Sequence, residues 1–66
     1  MPANEILQEA RKLHNVSASL SALAEQHAPL AEALMILAET IRNSAALLEV
    51  LVALRLGAPG LDSVSN

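Results

Sequence analysis

The side chains best suited to hold a metal or carry a reaction are two histidines, His14 and His27, and three closely spaced serines, Ser17, Ser19 and Ser21. Thirteen residues apart on a helix, the two imidazoles point in widely different directions and cannot share a metal ion within one chain. Only a symmetric pair of chains could bring two copies of either together. A serine nucleophile needs a base, and the base needs a third group to orient it. The serines lie close to His14, but no aspartate or glutamate is spaced to orient its ring, and no glycine-rich turn offers an oxyanion site. No catalytic, cofactor-binding or metal-binding residue is therefore expected, and the chain reads as non-enzymatic. Ser17 is expected to be a small packing residue whose hydroxyl bonds back to a preceding carbonyl.

Phosphate recognition is the other chemistry to weigh. The chain has four fixed cations and a net charge of −3, so a broad phosphate-neutralising surface is hard to build from it. Gln8, Arg11, Lys12 and Asn15 could make one modest basic and polar face, doubled if two copies come together, but nucleic acid is a poor first expectation as a partner.

These residues have to be positioned by helices. Leucine and alanine dominate a chain that is 53% hydrophobic with no aromatic residue, which predicts an all-α fold. One helix is predicted from about Asn4 to Gln26, with Asn4 as N-cap or Pro2 as a competing start. A second is predicted from about Pro29 to Leu56, with Pro29 at its first position, Glu32 and Arg55 favourably placed at the two ends of its dipole, and Gly57 and Pro59 to stop it. The only interruption is the segment EQHAP, which places a turn at about Gln26 to Ala28. A single kinked helix is the alternative. His27, beside this turn, is expected to fill space and bond the loop backbone. Residues 1–57 thus make a helical hairpin and residues 58–66 a flexible tail, in which Leu61 and Val64 are the residues able to fold back.

Both helices carry a seam in which small and large residues alternate every seven positions. Ala3, Ala10, Ser17 and Ala24 alternate with Ile6, Leu13, Leu20 and His27; Ala31, Ala38, Ala45 and Val52 alternate with Leu34, Ile41 and Leu48. Matched seams predict closely approaching antiparallel helices. On the second helix the core stripe is expected to hold Leu30, Leu34, Leu37, Ile41, Leu48, Leu51 and Val52, with Ala38 and Ala45 at its edge; Val16 and Leu23 widen the stripe on the first. Ile36, Leu47, Val50 and Leu54 form a second apolar row that a monomer would leave wet. Sixty-six residues without cysteine seldom gain more than ~3–5 kcal/mol from one core, so the row is expected to be a protein interface through which two hairpins form a homodimeric four-helix bundle. Exposed ion pairs are expected between Glu9 and Lys12, between Glu39 and Arg42, and across the open end from Glu5 or Glu9 to Arg55.

Charged and polar residues interrupt the second helix too often for a membrane span, and the N-terminus lacks a secretory pattern, which points to the cytoplasm. In length, hairpin form, turn position and seam, the chain resembles the Rop family of plasmid copy-number regulators, dimeric four-helix bundles that bind paired RNA loops. The resemblance implies an RNA-binding bundle as an alternative function, carried by the helix 1 face of Gln8, Arg11, Lys12 and Asn15. The aromatic residue with which that family reads RNA has no counterpart here. The favoured expectation is a small homodimeric module for protein–protein interaction, with itself and another helical protein as partners and no cofactor.

Overall fold

A computed structural model describes residues 2–56, and within them the fold is a hairpin of two packed helices. Helix α1 spans Ala3–Gln26, a 3-10 turn covers Ala28–Leu30, and helix α2 spans Ala31–Leu56. The stop expected at Gly57 and Pro59 and the tail expected over 58–66 lie outside the described residues.

Pro2, not Asn4, caps α1. Its carbonyl accepts the Ile6 N–H at 3.0 Å, and no side chain caps the helix. Proline costs nothing here, because a backbone N–H at this point would have no helical acceptor. Asn4 lies inside the first turn with its side chain exposed, and Glu5 beside it faces the positive end of the helix dipole.

Only His27 separates α1 from the 3-10 turn. Its N–H still bonds the Leu23 carbonyl at 3.0 Å, its backbone then opens to φ −129°, ψ 77°, and its own carbonyl accepts from Leu30 at 2.9 Å. Pro29 sits in the 3-10 turn and not at the first α-helical position; its missing N–H is harmless there. Leaving helical geometry at His27 carries its ring out of the seven-residue phase. The ring is exposed and makes no side-chain hydrogen bond among the described residues, so it neither fills the seam nor holds the loop.

The seam itself is made of small residues. Ala10, Ser17 and Ala24 on α1 and Ala38, Ala45 and Val52 on α2 are the buried residues of the described chain, with Ala45 at 0% exposure. Their large partners, Ile6, Leu13 and Leu20 and then Leu34, Ile41 and Leu48, are only half-buried. This corrects the expected core stripe: Leu30, Leu37 and Leu51, like Val16 and Leu23, are exposed, and the alanines expected at the edge hold the centre. Close approach explains the reversal. Two helix backbones can meet only where side chains are short, so the contact line runs along the alanines and the leucines are displaced to its flank.

The Ser17 hydroxyl crosses the seam and donates to the Ala38 carbonyl at 2.7 Å, instead of turning back on its own helix. A carbonyl has two lone pairs, so Ala38 can accept this bond together with the one from its own helix. Such a bond contributes about 0.5–1.5 kcal/mol and ties the register of one helix to the other.

Candidate interaction surface

Among the described side chains no leucine, isoleucine or methionine is buried. The hairpin is one layer of helices, no more than 11 Å across the Cα trace in its thinnest direction, and one layer has nothing to lay over its large side chains. Where those side chains gather follows from the seam and from the turn of about 100° per residue. In an antiparallel pair with the seams facing, residues three places after a seam residue fall on the same side of the hairpin from both helices, and residues four places after fall on the other.

On the first side, here the front, stand the half-buried leucines and isoleucines. They are bordered by the residues that immediately precede each seam position: Val16 and Leu23 from α1, and Leu30, Leu37 and Leu51 from α2, all exposed. Only two charged residues of the described chain share this face, Glu9 and Arg55, and both lie in the half of the hairpin away from the turn. On the opposite side stand Leu7, His14 and Ser21 from α1 and Met35, Arg42 and Glu49 from α2. His14 Nε2 lies 3.1 Å from Glu49 Oε2, so a carboxylate does reach this ring, from the other helix, contrary to the expectation that none would. Both residues stand four places after a seam alanine, Ala10 and Ala45, which is the sequence signal that identifies the pair. His14 and Glu49 are partly solvated, so the contact is a surface one, worth at most about 1 kcal/mol.

The row Ile36, Leu47, Val50 and Leu54 lies on the rear of α2, turned away from α1, and every member is exposed; Leu47 reaches 69%. Thr40 and Ser44, close to the apolar surface of α2, donate their hydroxyls to the carbonyls four residues back, Thr40 to Ile36 at 3.0 Å and Ser44 to Thr40 at 3.2 Å. Helix α2 is therefore apolar around much of its girth, and its charged residues, Arg55 apart, are confined to the side that bears Glu32, Glu39, Arg42 and Glu49. A helix of that kind is normally covered on more than one face.

The four residues of the possible RNA face, Gln8, Arg11, Lys12 and Asn15, are all exposed on α1. Glu9 holds Lys12 in an ion pair at 2.8 Å, which takes half of the small positive charge out of play. The expected pairs of Glu39 with Arg42 and of Glu5 or Glu9 with Arg55 are not formed within 4.0 Å; besides Glu9 with Lys12, the described residues pair only His14 with Glu49. No group of three or more histidine, cysteine, aspartate or glutamate side chains among the described residues could hold a metal ion. No described helix is long and apolar enough to cross a membrane. Comparisons of the chain with protein-family models, with curated proteins and with solved structures found no match.

Proposed function

We propose that the protein is a small non-enzymatic interaction module that works as a homodimer, two hairpins joining into a four-helix bundle whose outer apolar surface is available to another helical protein. One observation carries the reading: the buried core of the described hairpin consists of four alanines, a serine and a valine, while every described leucine, isoleucine and methionine side chain keeps part of its surface in water. Burying a methyl group is worth about 0.8 kcal/mol and burying a whole leucine or isoleucine about 1.5–3 kcal/mol. A substantial share of the hydrophobic free energy, held by the eleven large apolar side chains that are 40–69% exposed, is therefore still unrealised in the single hairpin. Exposed apolar surface of this extent marks association.

Light scattering at micromolar protein is the test. A mass near twice 6.9 kDa is expected, and a helical monomer of 6.9 kDa would overturn the proposal.

A further inference from the structure

We infer that the second copy seats on the front face of the hairpin, not on the rear row of α2. The inference rests on the homodimer proposed above and deepens it by assigning the surface. Size separates the two candidates first. A stable interface engages about 20–30 residues and about 800 Å² on each partner. The rear row offers four large side chains of one helix, with Asn43 among them, whereas the front face draws on both helices over their whole length.

Continuity with the hairpin's own packing is the second argument. Leu13, Leu20, Leu34, Ile41 and Leu48 are already half-buried against the seam, and a second layer laid on them completes that burial and creates a core with large side chains at its centre. The rear row has no such foundation, since nothing of the hairpin lies behind it.

Charge and polar satisfaction are the third. Of the described charged residues, the front holds only Glu9 and Arg55, both exposed and both in the half of the hairpin away from the turn; the opposite side carries Arg42 and the His14–Glu49 pair and is suited to solvent. Ser44 is the one hydroxyl standing among the front leucines, and its donation to the Thr40 carbonyl lets it be covered without leaving an unpaired donor.

Leu37, on the front, and Leu47, on the rear, are both well exposed in the single hairpin, so a glutamate at either leaves the packing between α1 and α2 alone. In sedimentation equilibrium, Leu37→Glu is expected to weaken dimerisation by at least about a hundredfold, because each dimer would bury two unpaired carboxylates, and Leu47→Glu to leave the dimer mass unchanged. A readout that does not depend on a disruptive substitution uses the absence of native cysteine. The thiol introduced by Leu37→Cys should react with a thiol reagent at least about tenfold more slowly in the dimer than after dilution to monomer, while that introduced by Leu47→Cys should react quickly throughout. A dimer that survives Leu37→Glu and is lost with Leu47→Glu overturns the front face and leaves the homodimer standing. So does a thiol that is protected in the Leu47→Cys variant and reactive in the Leu37→Cys variant. A wild type that is monomeric at every concentration overturns the homodimer itself and gives the front face to a different protein.

Discussion

Replacing Ala45 with leucine is expected to lower the melting temperature by roughly 10 °C, whereas leucine at the adjacent Ala46 should leave it nearly unchanged. Ala45 is 0% exposed on the contact line between the helices, and Ala46, on the solvent side of α2, is exposed. Extra methylene groups in a filled seam cost about 1–3 kcal/mol, and in a domain of this size each kcal/mol moves the midpoint by about 4–8 °C. The damage spreads beyond the site, because helices wedged apart at Ala45 also lengthen the Ser17–Ala38 hydrogen bond one repeat away. Alanine and leucine have similar helix propensities, so a drop at Ala45 alone reports the seam and nothing else. Thermal melts of the two variants by circular dichroism make the comparison; equal midpoints would mean that the helices do not meet along the alanines.

The second large effect is on concentration dependence. Five aliphatic residues border the front face at roughly half exposure. If covering each recovers about 1 kcal/mol, half the ~1.5–3 kcal/mol of a full burial, the ten in a dimer recover about 10 kcal/mol. Association costs about 4–15 kcal/mol, so the balance is close enough for protein concentration to govern it. A single hairpin with an alanine core has little to fold on, and unfolding should accompany dissociation. A hundredfold increase in concentration then stabilises the folded dimer by about 2.7 kcal/mol and should raise the melting temperature by about 10 °C, and strong dilution should erase the helical signal at 222 nm. A midpoint that stays fixed over that range would show that the hairpin stands alone.

Much of the hairpin was legible because the two seams repeat the same alternation and one interruption lies between them. The size rule that produced the alternation also misled the assignment of the core. Hydropathy weights a side chain by how much apolar surface it carries, which draws the expected core towards Leu30, Leu37 and Leu51. Packing selects by how near two backbones can come, which draws it to Ala38, Ala45 and Ser17. The front face was nonetheless written in the chain: the residue just before a seam position is leucine or valine at Val16, Leu23, Leu30, Leu37 and Leu51. The contact of His14 with Glu49 and the acceptor of Ser17 depend on the rotation and register of one helix against the other, which no periodicity within a single helix supplies. His27 fell out of phase because the backbone opens one residue ahead of Ala28, the neighbour that Pro29 constrains.

The single-residue break at His27 also sets the order of events in assembly. With no loop to close, Ala24 and Ala31 are brought together by the turn itself, and each further seam layer forms beside one already made, outward to Ala3 and Val52. Folding in that nearest-first order belongs to the fastest class, on the scale of microseconds for helix and hairpin formation. Two proteins find each other at about 10⁵–10⁷ M⁻¹s⁻¹, which at micromolar concentration is about 0.1–10 events per second. In the proposed homodimer, zippering would therefore run far ahead of encounter, and the hairpins that collide would be transient ones, formed and lost many times before a second copy keeps them.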